Sequence, residues 1–287
     1  MSSFNTKTIQ ATDGYPLAAR FYTPTGTAKA AIFIASAMGV KQRYYESFAE
    51  WLATQGYMVQ TFDYRGIGDS LNGKLKDVEA NIVDWAEKDC SAVLKELTQQ
   101  AKGIPIYWIG HSLGGQLFPL ISNADQISKM ITVAAGSGYW RENAPSLRRT
   151  VWWLWYVMAP LSIKLFGYFP GRRLRKVGDL PAGVMNQWRS WCLNSEYAPG
   201  VEGEPVRSKF EAVHIPITSL SFSDDQYMSK RNVESLHGFY KNAAVRMKRI
   251  APQEIDVKSV GHFGFFKDRF KDSLWEDFLL PELSLES

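Results

Sequence analysis

Short apolar runs alternate with amphipathic stretches along most of the chain, and the two patterns predict strands and helices. Two strand-like runs, residues 6–11 and 17–22, flank Asp13-Gly14, a dipeptide typical of tight hairpin turns. Beyond them, strands that alternate with helices indicate βαβ units and a mostly parallel sheet, which is the α/β class. The predicted strands are residues 30–36, 57–62, 105–110, 130–135, 215–222 and 245–251, and the predicted helices lie near residues 44–55, 81–102, 113–123, 231–239 and 265–280.

The alternation stops between residues 136 and 208. This stretch contains six of the ten tryptophans, and its ten basic residues against five acidic ones give it a net charge of +5. It shows no period of two, so we expect short helices there. The sequence therefore predicts a core in two parts, residues 1–135 and 209–287, with a helical cap (residues 136–208) inserted between them.

Composition narrows the class of protein. The 287 residues are 45% hydrophobic and 22% charged, which excludes a disordered chain, a collagen-like fibre and a coiled coil. A net charge of +4 gives no reason to expect a nucleic-acid partner. The first residues lack the apolar core of a signal peptide, so a cytoplasmic location is expected. Residues 151–163 are uncharged, but 13 residues are too few for a membrane span, which needs about 20.

Cysteine and histidine are scarce, which limits the possible chemistry. Cys90 and Cys192 cannot form a disulfide framework or a cysteine zinc cluster, and we expect both to be reduced thiols without a catalytic part. We expect neither a metal nor an organic cofactor. Any histidine-dependent chemistry must use His111, His214, His237 or His262.

The strongest local motif is Gly110-His111-Ser112-Leu113-Gly114-Gly115, which fits the pattern G-x-S-x-G between an apolar strand and a helix. In that setting the motif forms a sharp turn that exposes the serine oxygen above the sheet, and the glycines let neighbouring backbone approach closely. Ser112 is therefore the candidate nucleophile. The backbone N–H of Leu113, just after it, is a candidate oxyanion donor. The alternative is an ordinary glycine-rich turn.

A serine nucleophile needs a base and an acid that orients it. His262 lies between the last predicted strand and the last predicted helix, where a base reaches the carboxyl end of the sheet. His214 precedes its strand and His237 lies within a predicted helix, so both are poorer candidates. The acid should follow the strand at residues 215–222, where Asp224 and Asp225 stand. We expect Asp225 to orient His262 and Asp224 to form the turn or to bond to the loop.

Two further loops follow predicted strands. The loop after residues 30–36 would supply a second oxyanion donor, the backbone N–H of Met38, and the alternative is a simple turn. In the run 63–70, D-Y-R-G-I-G-D-S, the glycines indicate backbone turns, and we expect Asp63 and Arg65 to form an ion pair or a brace of the loop.

Taken together, the helix at residues 44–56 and the runs D-Y-R-G-I-G-D-S, G-H-S-L-G-G, S-D-D-Q and V-G-H-F resemble an α/β-hydrolase. The resemblance is closest to bacterial hydrolases of the serine-aminopeptidase and monoglyceride-lipase branch. It implies an eight-stranded, mostly parallel sheet with a helical cap after the sixth strand. It also implies the same roles for the nucleophile, acid, base and oxyanion donors that are named above.

The inserted segment would face the substrate in that architecture. An apolar pocket is one interpretation of its aromatic residues, and packing of the cap onto the core is the other. The basic run 172–176 is a solvated face or a contact for an anionic group or membrane, so peripheral lipid contact is an open hypothesis. The candidate pocket residues are Trp152, Trp153, Trp155, Tyr156 and Met158.

The sequence thus predicts a serine hydrolase that acts on a small-molecule carboxylic ester. A thioesterase or an amidase (an aminopeptidase among them) would use the same triad, but a basic cap with few carboxylates suits a substrate α-ammonium group poorly. The rival outside enzymes is a non-catalytic binding protein that kept the fold.

Overall fold

The computed structural model describes residues 4–174 and 177–284. The predicted hairpin and the six predicted core strands are all present, with ends that differ by three residues or fewer. A short ribbon of two strands within the inserted segment was not predicted. The strands are β1 (Asn5–Gln10), β2 (Pro16–Tyr22), β3 (Ala30–Ala35), β4 (Tyr57–Phe62), β5 (Ile106–His111), β6 (Lys129–Val133), β7 (Tyr168–Phe169), β8 (Leu180–Pro181), β9 (Ile217–Phe222) and β10 (Val245–Ile250).

Within the described residues, eight strands form one sheet in the order β1-β2-β4-β3-β5-β6-β9-β10. The pairs β1/β2 and β2/β4 are antiparallel, and every other pair is parallel. The mostly parallel α/β sheet of an α/β-hydrolase fold is therefore confirmed. Because parallel strands end at the same edge, the loops after β3, β5 and β9 meet there.

The central strands β3, β5, β6 and β9 are buried on both faces, as expected where helices cover a parallel sheet, whereas the edge strands β1 and β10 are partly exposed. Ala31, Phe33 and Ala35 of β3 point into one core, and Ile32 and Ile34 point into the other. All six residues of β3 are buried. This explains why β3 is a continuous apolar run, whereas β9 carries Thr218, Ser219 and Ser221 among its buried residues.

Several predicted helices are interrupted. Residues 81–102 form α2, a π-helical turn (Trp85–Cys90) and α3. The helix after Ser112 gives way to a 3₁₀ turn at Phe118–Leu120, where Pro119 has no N–H to continue an α-helix. The helices are α1 (Glu46–Thr54), α2 (Ile82–Asp84), α3 (Ser91–Ala101), α4 (Gly114–Leu117), α5 (Pro145–Trp153), α6 (Ala159–Phe166), α7 (Ala182–Leu193), α8 (Tyr197–Glu202), α9 (Glu204–Glu211), α10 (Lys230–His237), α11 (Gly261–Gly264) and α12 (Leu280–Ser284).

The last predicted helix, residues 265–280, begins later than expected. A π-helical stretch (Lys271–Leu279) leads into α12. The carbonyl of Phe265 accepts the indole N–H of Trp275 rather than a backbone N–H, so the helix does not extend back through Phe265.

Helices α5 to α9 and the β7/β8 ribbon lie between β6 and β9 and make up most of the inserted segment. The segment approaches the core closely where glycines remove side chains. A Cβ on Gly39 would lie 2.9 Å from the backbone nitrogen of Gly178. The side chain of Gln187 accepts the backbone N–H of Ile82 at 2.6 Å, which joins α7 to α2. No helix in the described part of the chain has both the length and the hydropathy that a membrane span requires.

Candidate active site

Ser112 lies in the sharp turn between β5 and α4. Its φ of 52° is a left-handed conformation that most residues avoid. A Cβ on Gly110 would lie 2.5 Å from the Cα of Gly115, and one on Gly114 would collide with the carbonyl of Ala35. The glycines of the motif are thus required by close backbone packing, and that packing holds Ser112 in the strained conformation.

The two candidate oxyanion donors flank this serine. Met38 follows β3, Leu113 precedes α4, and both line the same cavity as Ser112. Among the described residues, neither backbone N–H donates a hydrogen bond, whereas the N–H of Ala37 donates to the Tyr45 hydroxyl at 2.9 Å. Two free N–H groups beside a serine oxygen suit a developing negative charge.

His262 and Asp225 form a buried pair at 2.8 Å, between Nδ1 of the ring and Oδ2 of the carboxylate. Because an ionised carboxylate only accepts hydrogen bonds, Nδ1 carries the hydrogen and Nε2 is left as the basic nitrogen. The other oxygen of Asp225 accepts the backbone N–H groups of Tyr227 and Met228 at 2.7 and 2.9 Å. The acid is therefore fixed on both oxygens and holds the ring in one tautomer.

Asp224 has different hydrogen-bond partners from Asp225. Its carboxylate accepts the backbone N–H groups of Val260 and Gly261, which lead into the short helix α11 that carries His262. The other candidate histidines lie elsewhere. His214 is exposed before β9. His237 is buried against the Thr132 hydroxyl and the Val233 carbonyl, where desolvation lowers its pKa to about 4.

The candidate nucleophile, Ser112, and the candidate base, His262, are not hydrogen-bonded to each other in the described structure. Within the residues described, no bond joins Ser112 Oγ to His262 Nε2, and such catalytic bonds often form only with substrate in place. They are linked through His111, whose Nε2 lies 3.0 Å from the carbonyl oxygen of His262. No role was predicted for His111, although it lies within the G-x-S-x-G motif, or for Tyr45, whose hydroxyl bonds to it.

A cavity of about 460 Å³ opens beside Ser112. Of the predicted pocket residues, Trp152, Trp153, Trp155 and Met158 line it. Tyr156 does not: its side chain is exposed and the guanidinium of Arg189 lies over its ring. Lining residues that the sequence did not indicate are Gln116, Gly138, Asn143, Leu147, Arg149, Thr150, Val151, Leu154, Val177, Trp188, Cys192, Tyr227 and Met228.

The predicted ion pair between Asp63 and Arg65 is wrong, because each of the two side chains has other partners. Arg65 is buried between Asp89 and Asp13, with guanidinium-to-carboxylate distances of 2.6 Å to each. Hydrogen bonding to Arg65 lowers the pKa of Asp13 to about 2, and burial raises the pKa of Asp89 to about 6. Asp63 instead accepts the backbone N–H groups of Gln42 and Asp69. Both residues still brace loops, but through separate networks.

The two cysteines are buried free thiols, and burial raises the pKa of each. Cys192 lines the cavity, whereas Cys90 lies in the core. A raised thiol pKa disfavours the reactive thiolate. In the described ranges no group of three or more histidine, cysteine or carboxylate side chains is placed to hold a metal ion.

Comparison with known proteins finds curated relatives that match part of the chain. The chain is 29% identical to human monoglyceride lipase over 105 residues, which are 37% of this chain and 34% of that protein. Mouse monoglyceride lipase is 26% identical over 110 residues. The alignments thus span about a third of the length of these curated relatives.

Solved structures share the fold. A soluble variant of monoglyceride lipase from Saccharomyces cerevisiae, in complex with a substrate analog, superposes with a TM-score of 0.64 at 16% identity, over 96% of this chain and 95% of that one. A carboxyl esterase from Bacillus coagulans gives 0.59 at 15% identity, over 88% and 91%. A family model described as serine aminopeptidase, S33, matches residues 26–176. Since that match covers more than half of the chain, the protein belongs to the serine aminopeptidase S33 family of α/β-hydrolases.

Proposed function

We propose that the protein is a serine hydrolase that cleaves a small-molecule carboxylic ester through an acyl-enzyme. Nε2 of His262 takes the proton of Ser112 Oγ as the oxygen attacks the acyl carbonyl. The N–H groups of Met38 and Leu113 stabilise the resulting oxyanion. The histidine then gives its proton to the departing alcohol oxygen.

Water completes the cycle. Nε2 of His262 takes a proton from a water molecule, the hydroxide attacks the acyl carbon, and the tetrahedral species releases the carboxylic acid. The proton returns to Ser112 Oγ. Throughout, Asp225 stabilises the imidazolium and holds the ring. The Asp225–His262 pair, at the same edge of the sheet as the strained Ser112, is the observation that carries this proposal.

The cavity favours an apolar acyl group. Four tryptophans line it, and Arg149 is its only charged lining residue in the described part of the chain. An aminopeptidase would need a carboxylate there to hold the substrate's α-ammonium group, so the lining favours an ester over a peptide. A thioester has the same acyl half and no such requirement, and it is the second candidate substrate.

We propose in addition that the inserted segment contacts lipid. Six large apolar side chains of the stretch 145–166 are exposed, and cationic Arg148, Arg149 and Lys164 lie among them. Trp152 and Trp153 are exposed and also line the cavity, so the cavity opens where these apolar side chains are exposed. Apolar side chains with neighbouring cations suit an anionic membrane interface. We call these exposed apolar side chains together the lipid surface; they are Trp152, Trp153, Tyr156, Leu161, Leu165 and Phe166.

A series of p-nitrophenyl esters from acetate to palmitate tests the function, with Ser112→Ala as the control. Turnover by the wild type alone supports the proposal, and the preferred chain length reports the depth of the cavity. If both proteins are inert and a fluorophosphonate also fails to label Ser112, the proposed hydrolase function is contradicted and a non-catalytic binding role becomes the favoured hypothesis.

A further inference from the structure

The buried residues Tyr45 and His111 connect three parts of the candidate site. Tyr45 ends a 3₁₀ turn (Gln42–Tyr45) before α1, and His111 is the last residue of β5, directly before Ser112. Both side chains are fully buried. Tyr45 Oη lies 2.9 Å from Nδ1 of His111, and His111 Nε2 lies 3.0 Å from the carbonyl oxygen of His262.

The chemistry of the partners fixes the direction of each bond. A carbonyl oxygen only accepts, so Nε2 of His111 must carry a hydrogen. Burial, with the neighbouring His262, holds the pKa of His111 well below its usual range, so the ring is neutral and Nδ1 is an acceptor. Tyr45 therefore donates its hydroxyl hydrogen to Nδ1. The same hydroxyl oxygen accepts the N–H of Ala37 at 2.9 Å.

The result is a chain of hydrogen bonds that runs in one direction, from Ala37 N–H through Tyr45 and His111 to the backbone of His262. Ala37 precedes the oxyanion donor Met38, His111 precedes the nucleophile, and His262 is the base. The neighbouring Tyr44 adds a parallel link, because its hydroxyl donates to the carbonyl of Phe263.

We propose that Tyr45 and His111 are positioning residues. They fix the relative positions of the loop that carries Met38, the turn that carries Ser112 and the segment that carries His262, which we call the base segment. This inference rests on the proposed function. Neither side chain touches the reacting atoms, and neither lines the cavity. Their effect is geometric, and in an active site an error of about 1 Å can cost roughly 100-fold in rate.

Tyr45→Phe tests the chain, because it deletes one hydroxyl and leaves the ring packing in place. We expect kcat on the preferred p-nitrophenyl ester to fall by about 10- to 100-fold, with KM changed by less than about threefold. The matched control is Tyr240→Phe. Tyr240 also carries a buried hydroxyl, but among the described residues that hydroxyl has no hydrogen-bond partner, and the ring packs against Phe210 and His237 and does not line the cavity. Wild-type kcat in Tyr45→Phe would overturn the proposal.

Two substitutions of His111 separate the halves of the chain. Glutamine places an N–H₂ where Nε2 stands and keeps the bond to the His262 carbonyl, whereas asparagine keeps a partner for Tyr45 and loses that bond. We expect His111→Gln to retain at least tenfold more kcat than His111→Asn, with similar thermal unfolding. Equal losses in the two variants would contradict a link to the base segment.

Nitrogen-15 NMR of the wild-type histidines tests the bond directions on which the chain depends, and the split between kcat and KM separates a positioning role from a merely structural one. The proposal requires a neutral His111 with hydrogen on Nε2, and a shifted Nδ1 resonance in Tyr45→Phe. A charged ring, or hydrogen on Nδ1, would overturn it.

Fluorophosphonate labelling of Ser112 distinguishes failure of this inference from failure of the proposed function. If the wild type is labelled and active and Tyr45→Phe is unaffected, only the positioning chain is refuted. If the wild type is unlabelled and inert, both proposals are refuted.

Discussion

Asp224 and Asp225 are adjacent in the chain and hold two different parts of the segment that carries His262. Asp225 bonds to the ring of His262 at 2.8 Å, and Asp224 bonds to the backbone that leads into it. One carboxylate thus sets the tautomer of the base and the other sets the position of its helix. The two residues are a natural pair of matched variants.

Asp225→Asn should lower kcat far more than Asp224→Asn. An asparagine amide can donate to Nδ1 and stabilise the wrong tautomer of His262, and a comparable change in a known triad costs about 10⁴-fold. Asp224→Asn keeps a carbonyl acceptor for one backbone N–H, so we expect a loss of about tenfold with lowered thermal stability. Steady-state kinetics of both variants checks this, and a larger loss in Asp224→Asn would mean that the roles are reversed.

Gly114→Ala should destabilise the fold. The added Cβ would collide with the carbonyl of Ala35, and backbone on neither side can move freely. Overpacking of this kind costs roughly 1–3 kcal/mol or more. Gly238→Ala is the control, since Gly238 has an ordinary helical φ of −66° and a nearest contact of 3.2 Å. Urea unfolding measures both, and equal stabilities would show that the turn has more room than the structure gives it.

The free energy of unfolding should fall as the pH drops from about 6.5 to about 4, in part because of His237. Burial lowers its folded-state pKa to about 4 from a reference of 6.5, so the unfolded chain binds a proton that the folded chain does not. The shift corresponds to about 3 kcal/mol lost across this window. His237→Gln, measured by urea unfolding at each pH, should show a shallower decline. An unchanged slope would mean that His237 is not buried in its neutral form.

Leu161→Ser with Leu165→Ser should weaken binding to vesicles that contain phosphatidylserine. Both side chains are more than half exposed on α6 and neither lines the cavity. A buried leucine contributes about 1.5–3 kcal/mol, so we expect at least a tenfold loss of affinity in a sedimentation assay. Met247→Ser removes an equally exposed apolar side chain from the edge strand β10 and should bind normally. If the wild type, the double leucine variant and Met247→Ser bind equally, the lipid contact lies elsewhere or does not exist.

Elements with a strong local pattern were predictable from the sequence. The strand Tyr57–Phe62 has the predicted ends, because its apolar run stops abruptly at Gly56 and Asp63. The nucleophile turn was also predictable, because the G-x-S-x-G motif lies between a strand and a helix, and Gly110 is required by contacts with Gly114 and Gly115 only a few residues away. In these cases the local sequence and the tertiary contacts favour the same conformation.

Features that depend on long-range contacts were not predictable. The partners of Arg65 are Asp13, in the turn between β1 and β2, and Asp89, in the π-helical turn Trp85–Cys90, which the fold brings together. The bond from Tyr45 to His111 joins residues 66 positions apart. In the inserted segment, a π-helical turn (Leu154–Met158) was not predicted, and Tyr156 within it does not line the cavity.

The central claim is that Ser112 becomes acylated. The most direct measurement is mass spectrometry of the protein after brief reaction with a p-nitrophenyl ester and an acid quench, followed by peptide mapping, with Ser112→Ala alongside. The account predicts an adduct of the mass of the acyl group on the peptide that contains Ser112, and none in the variant. Acylation at another residue, or turnover by Ser112→Ala at the wild-type rate, would contradict it.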